Sequence, residues 1–317
     1  MSRKRARRPD LGVAEVVTEE VPDLVEVGPD ALSELLKPHR RTAVVDIGAN
    51  PVDGDPPYAP MLRAGLCTVV GFEPQAEALA RLRQVAGPDE TYLPWAVGDG
   101  GTHTLHICAA EGMTSLLRPD PKALERFHLF DQFGAVVSTV ELPTRRLDDI
   151  AEIPAIDLLK IDIQGSELMV FRNGRQALRD CVAIHTEVSF LPLYEGQPTF
   201  GEVDVELRAA GFVPHGFAAV KNWALTPLVR EGNPRVPFHQ LLEADAVYVR
   251  DVAPPTTEEQ LKHLALLSHH VYGSVDLAAR CVRELRDRGA AAPDAVETYC
   301  ALLVAAGLDV SLASPGT

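Results

Sequence analysis

The sequence predicts an α/β protein built on a doubly wound parallel sheet, with extra strands and a C-terminal helical extension. Three observations predict it. Short apolar runs rich in β-branched residues alternate with helix-like segments between residues 41 and 250. Runs of that length and continuity suit strands covered on both faces. Several of the runs end in an acidic residue followed by a turn, as strand ends do at ligand sites in such sheets. The last sixty or so residues carry helix punctuation only.

The elements follow in chain order. Residues 1–40 form an N-terminal basic tail followed by a helical patch, Ala31-Leu32-Ser33-Glu34-Leu35-Leu36. Residues 41–252 form the sheet domain. Its strands are expected at Ala43-Val44-Val45-Asp46-Ile47, Cys67-Thr68-Val69-Val70-Gly71-Phe72, Tyr92-Leu93-Pro94-Trp95-Ala96-Val97, Ile156-Asp157-Leu158-Leu159-Lys160-Ile161, Val182-Ala183-Ile184 and Ala246-Val247-Tyr248-Val249. Helices are expected over residues 75–84 and 202–210. Strand alternated with helix implies a parallel sheet. Two alternating polar/apolar stretches, residues 102–107 and 136–142, read as added strands or a hairpin. Residues 253–317 form the helical extension. Thr256-Thr257-Glu258-Glu259 reads as a capping box in which Thr256 and Glu259 satisfy each other's amides. Leu261, Leu264, Leu267 and Val271 then line one helix face. Gly273 and Gly289 separate that helix from two more, the last running from near Pro293 to Gly307. These helices are expected to cap the sheet, or to offer a homodimer surface or a lid.

Composition narrows the function. The chain has 317 residues with Lys+Arg 30 against Asp+Glu 45, a net charge of −15. That is the wrong balance for a nucleic-acid binder, which needs clustered cations to neutralise phosphates. The local exception is Arg3, Lys4, Arg5, Arg7 and Arg8, a solvated tail or an electrostatic tether. No apolar run follows it, so a secretory signal is not expected. No stretch approaches the length of a membrane span. Cys67, Cys108, Cys181, Cys281 and Cys300 are odd in number and contain no C-x-x-C pair. Reduced thiols, and hence a cytoplasmic location, are expected.

Four local patterns carry chemistry. Val45-Asp46-Ile47-Gly48-Ala49-Asn50 ends a strand in an acid and a glycine turn, where Gly48 lets the backbone approach a ligand. Gly71-Phe72-Glu73-Pro74 sets a carboxylate at the next strand end, suited to two ribose hydroxyls. Neither G-x-G-x-x-G nor G-x-x-x-x-G-K-[ST] is present. A pyrophosphate cofactor is therefore disfavoured, and an adenosine ligand without phosphate fits better: S-adenosylmethionine. Asp162 ends a further strand in Lys160-Ile161-Asp162-Ile163-Gln164-Gly165-Ser166-Glu167, and Glu167 opens a helix. His185-Thr186-Glu187 ends the next, with His185 and Glu187 pointing the same way.

These motifs, in this order and spacing, resemble the FkbM-type methyltransferases over about residues 41–215. Glu187-Val188-Ser189-Phe190 and Leu193-Tyr194-Glu195-Gly196-Gln197-Pro198 extend the likeness. The resemblance implies a Rossmann-like seven-strand methyltransferase sheet and S-adenosylmethionine-dependent O-methylation of a sugar, polyketide or related metabolite. It also implies roles. Asp46, Gly48 and Asn50 correspond to the first cofactor loop, Glu73 with Pro74 to the ribose acid, Ala96, Val97 and Asp99 to the adenine flank, and Asp162 to the acid near the moving methyl. One departure stands out: the family glycine two residues after Asn50 is replaced here by Pro51-Val52-Asp53-Gly54.

Asp162, His185 and Glu187 are the candidate catalytic groups, with His185 read as a base of near-neutral pKa. No zinc-like spacing occurs and no metal is assigned, although Asp162 and Glu187 could hold Mg²⁺. The acceptor is a small molecule or glycan, with Thr114 and Ser115, Tyr194 and Trp223 as its candidate contacts. Trp223 is placed in a polar loop, Lys221-Asn222-Trp223, free to stack on a ring. His103 and His106 read as structural. Two other readings remain: a nicotinamide-dependent oxidoreductase sharing the sheet, and a non-catalytic binding module of the same fold.

Overall fold

A computed structural model describes residues 31–50 and 54–312. The basic tail and the Pro51–Asp53 departure lie outside the described residues. In chain order the elements are α1 (Ala31–Leu36), β1 (Thr42–Ile47), α2 (Ala59–Arg63), β2 (Cys67–Phe72), α3 (Ala76–Val85), β3 (Glu90–Leu93), β4 (Ala96–Gly98), β5 (Thr102–Cys108), α4 (Pro121–Leu124), α5 (Phe130–Phe133), β6 (Val136–Arg146), β7 (Leu158–Ile161), α6 (Glu167–Arg172), β8 (Ala183–Ser189), α7 (Phe200–Ala209), β9 (Phe212–Trp223), β10 (Gln240–Arg250), α8 (Glu258–His270), α9 (Val275–Asp287) and α10 (Ala295–Ala305).

Seven strands form one sheet in the order β3-β2-β1-β7-β8-β10-β9. Neighbours from β3 to β8 pair in parallel, whereas β10 runs antiparallel to both β8 and β9. This is the Rossmann-like seven-strand sheet expected from the resemblance. The order turns back between β1 and β7, and the crevice over their carboxyl ends is where such sheets bind ligands.

Strand alternation builds the two cores. Val44, Leu158 and Val247 face a layer made with α1, α2 and the three C-terminal helices. Val45, Ile47, Leu159, Ile161 and Ile184 face the opposite layer, made with α6 and α7. In α9 the buried residues are Ala278, Cys281, Val282 and Leu285, the spacing of one helix face. A polar knot ties α8 to the amino ends of the central strands. The Arg40 guanidinium donates to Asp157, whose carboxylate also accepts from the Ala43 amide at 2.7 Å. His263 of α8 lies 3.1 Å from the Thr42 hydroxyl.

Three sequence expectations change. The capping box of α8 starts one residue later, with Thr257 and Gln260 as its partners. Thr256 instead donates to the Asp251 carbonyl, and Glu259 accepts from the His39 amide. The run at residues 92–97 splits at Pro94 into β3 of the large sheet and β4 of a second sheet, order β4-β6-β5. The stretches at 102–107 and 136–142 supply β5 and β6, which pair antiparallel. Lys221-Asn222-Trp223 is no loop but the end of β9, paired with the start of β10. Its mixed polarity hid it, because β9 is the edge strand and most of its residues are at least partly solvated.

Candidate functional site

The carboxyl ends of β1, β2 and β7, with His185 of β8, open into one cavity of about 760 Å³. The small sheet and the segment after β5 roof it through Leu105, Leu142, Thr114, Ser115 and Leu116. Asp46, Gly48, Asn50, Glu73, Pro74, Ala96, Val97, Thr114, Ser115, Asp162 and His185 all line it. Thus motifs from four separate strands converge on one space.

At the β1–β2 end the polar groups are already committed. Tyr58 donates its hydroxyl proton to Asp46 Oδ2 at 2.6 Å. Lys160 Nζ sits 3.3 Å from Asp46 Oδ1, an ion pair without hydrogen-bond alignment, and donates to the Gly48 carbonyl at 3.2 Å. Asp46 therefore shapes the glycine loop. Burial lowers the Lys160 pKa, but the carboxylates of Asp46 and Asp162 overcome that and hold it above the ordinary value. Gly48 has φ +79°, and a Cβ there would lie 2.0 Å from the Asp162 carbonyl oxygen. No other residue type fits that approach. Glu73 accepts from the Gln75 amide at 2.7 Å, and burial raises its pKa. Trp95 lines the cavity beside Ala96 and Val97, with the Arg145 guanidinium 3.5 Å over its ring.

Around β7 and β8 the groups interlock. Gln164, at φ +57°, donates its amide protons to Asp162 Oδ1 and Glu187 Oε2, each at 2.9 Å. A non-glycine residue in that conformation points to an imposed geometry. Three contacts impose it. Tyr194 donates to Gln164 Oε1 at 3.2 Å, Ser115 to the Gln164 carbonyl at 2.7 Å, and Glu167 accepts from the Ile163 and Gly165 amides. The carboxylates of Asp162, Glu167 and Glu187 approach within 4.8 Å of one another. The Gln164 amide and the backbone amides take one oxygen of each carboxylate, and no metal is assigned there. Burial pushes Glu167 up to about 7, and burial with Asp162 nearby raises Glu187 well above the carboxylate range. Glu187 sits behind Gln164 and is not part of the cavity wall.

His185 lines the cavity with its ring stacked near Tyr272, centroids 6.2 Å apart. Burial, with Lys160 beside it, pushes its pKa down to about 4. The sequence reading of a near-neutral base is thus corrected: the ring is uncharged at pH 7 and a weak proton acceptor.

Three further expectations change. Asp99 lies outside the cavity wall and is held by His103 at 2.8 Å and by the Gly101 amide. Trp223 is buried against Phe130 in an edge-on contact, centroids 4.9 Å apart, and offers no face to a ligand. Tyr194 is 2% exposed and reaches the site through Gln164 alone. Sequence reasoning also missed Tyr58, Trp95 and Gln164 and, beyond placing Lys221 in the Trp223 loop, the grouping of Lys221, Glu243 and Asp245. The last three line the far end of the cavity. Lysine inside the apolar run Leu158-Leu159-Lys160-Ile161 was a usable signal, since strand interiors rarely hold an unpaired charge.

Residues 46–214 match the family described as Methyltransferase FkbM domain. The 2-O-methyltransferase NoeI of Sinorhizobium fredii (strain NBRC 101917 / NGR234) is 30% identical over 166 residues, 49% of this chain and 66% of that protein. Among solved structures, magnesium protoporphyrin IX methyltransferase (ChlM) from Synechocystis PCC 6803 with bound SAM overlaps loosely. Its TM-score is 0.35 at 10% identity, over 77% of this chain and 89% of that one.

Proposed function

The chain belongs to the FkbM methyltransferase family, and from that membership we propose that it O-methylates a polar small molecule or glycan with S-adenosylmethionine, both bound in this one cavity. The observation that carries the reading is convergence: Asp46, Glu73 and Asp162 at three strand ends and His185 within β8 meet in one space of ligand size. Glu73 and Pro74 would hold the ribose, Trp95, Ala96 and Val97 the adenine, and Gly48 with Asn50 the amino-acid part. Bound there, the sulfonium supplies an electrophilic methyl group whose C–S electron pair stays on sulfur.

The protein's share is alignment and proton removal. In-line displacement draws much of its rate from holding acceptor oxygen, methyl and sulfur in register. Asp162 is the proton acceptor in this reading. Gln164 fixes one of its oxygens, which leaves the carboxylate oriented toward the cavity. His185, uncharged, accepts a hydrogen bond from the acceptor and orients it. Glu187 is a positioning residue, acting through Gln164. No helix among the described residues is long and apolar enough to cross a membrane.

Titration with S-adenosylhomocysteine tests this directly. Micromolar binding is expected for the wild type, with affinity lost by about tenfold or more in Glu73→Ala, the scale of a lost charge-assisted hydrogen bond. Binding of NAD in preference would overturn the reading in favour of an oxidoreductase.

A further inference from the structure

The far end of the cavity carries more negative charge than its own cations neutralise. Six ionisable side chains line it: Lys160, Asp162, His185, Lys221, Glu243 and Asp245. Both lysines are committed. Lys160 is paired with Asp46 at 3.3 Å, and Lys221 with Glu243 at 2.9 Å. Asp162 is held on one side by a neutral amide. Asp245 receives no hydrogen bond or close ion pair from any described residue. His185 is 7% exposed, its ring uncharged, and its Nδ1 has no partner.

Two carboxylates therefore face the cavity without an uncommitted cation. A half-buried charge left so is costly, and a ligand that supplies the counter-charge recovers the cost. A neutral hydroxyl would give Asp245 one hydrogen bond and leave its charge in place. An ammonium supplies both. We propose that this end of the cavity is a cation subsite, and that the acceptor carries a protonated amine near its reacting hydroxyl, with Asp245 as the amine's partner. The inference rests on the methyltransferase reading for the identity of the hydroxyl alone.

The spacing suits such a molecule. Asp245 lies opposite Glu187 across β10 and β8, and β7, which leads into Asp162, flanks β8 on its other side. Two strand spacings, roughly 10 Å, separate the two strands. A ring bearing a hydroxyl and a neighbouring amine fits between groups mounted on them. His185, on β8 between, offers an acceptor nitrogen to the same ammonium. Burial, with Asp162 nearby, pushes Asp245 up to about 6, and the more distant charges of Lys221 and Lys160 offset this only in part.

The test uses matched probes on the whole protein, with and without saturating S-adenosylhomocysteine. The pairs are trans-2-aminocyclohexanol against cyclohexane-1,2-diol, and glucosamine against glucose, titrated calorimetrically at pH 7.5. At least one amine should bind about tenfold tighter than its neutral partner, the worth of one charge-assisted contact. Asp245→Asn should abolish that preference, Asp245→Glu should keep most of it, and neither should change S-adenosylhomocysteine affinity. Equal binding within both pairs, amine preference surviving in Asp245→Asn, or no amine binding at all would each overturn the proposal. The titration without S-adenosylhomocysteine reads the subsite by itself, so failure of the cofactor to bind is scored separately.

Discussion

The two ends of the cavity are built on opposite plans. At the β1–β2 end the acids already have partners before any ligand arrives: Asp46 has the Tyr58 hydroxyl and the Lys160 ion pair, and Glu73 has the Gln75 amide. At the β8–β10 end His185 and Asp245 face the cavity without a hydrogen bond. The first end is preorganised for a ligand of fixed shape. The second stores unsatisfied polarity that a ligand of matching charge must complete. One rim of one sheet thus supports both a rigid and a responsive half.

The strongest way to break the contrast is Gly48→Ala. Its Cβ would enter the Asp162 carbonyl, 2.0 Å away, in a left-handed conformation. Strain of that kind costs about 1–3 kcal/mol before the clash is counted. S-adenosylhomocysteine affinity should fall about 100-fold or more, with a lowered melting temperature by circular dichroism. Amine selectivity at the far end should be less affected, and equal loss at both ends would deny that they are separate.

A pH series sharpens the contrast from the other side. His185 titrates at about 4 in the folded chain against 6.5 unfolded. A depressed base makes the unfolded state bind more protons, so stability is complete above 6.5 and is lost as pH falls toward 4. The loss should approach 2–3 kcal/mol in urea unfolding, and His185→Gln should remove it. Glu167, pushed up to about 7 from 4.5, works in the opposite sense. Its contribution is present below 4.5 and is lost as pH rises to 7, so Glu167→Gln should remove the part of the slope between pH 4.5 and 7 that runs opposite to that of His185.

The smallest expected effect lies at the cofactor margin. Arg145 stacks on Trp95 at 3.5 Å. Arg145→Leu should weaken S-adenosylhomocysteine by no more than about fivefold, the worth of an exposed cation–π contact. A larger effect would mean that the adenine face depends on this pair more than on Ala96 and Val97.

What the sequence revealed follows the same division. The cofactor end was legible because its groups sit in short contiguous motifs at the ends of parallel strands. Asp46, Gly48, Glu73 and Asp162 needed only the strand assignment to be placed. Asp99 and Trp223 went astray because chain proximity does not fix which way a side chain points once a strand turns into another sheet or an edge. Asp245 was invisible for a different reason. The strand was read as beginning at Ala246, although β10 starts at Gln240, and the hairpin with β9 is what carries Glu243, Asp245 and Lys221 to the rim. Gln164 was quoted but not weighed, since nothing in a sequence shows that an amide will bridge two carboxylates.

The position of β10 has a bearing on how the molecule comes into being. It is the last strand among the described residues, yet it fills an interior slot between β8 and β9. During synthesis the strands holding the cofactor loops can pair as soon as β8 has emerged. From then until residue 250 leaves the ribosome, β8, and β9 once it has been made, present open edges that another chain could occupy. The responsive half of the site is therefore the last to exist, and a nascent chain can meet its cofactor before it can discriminate among acceptors.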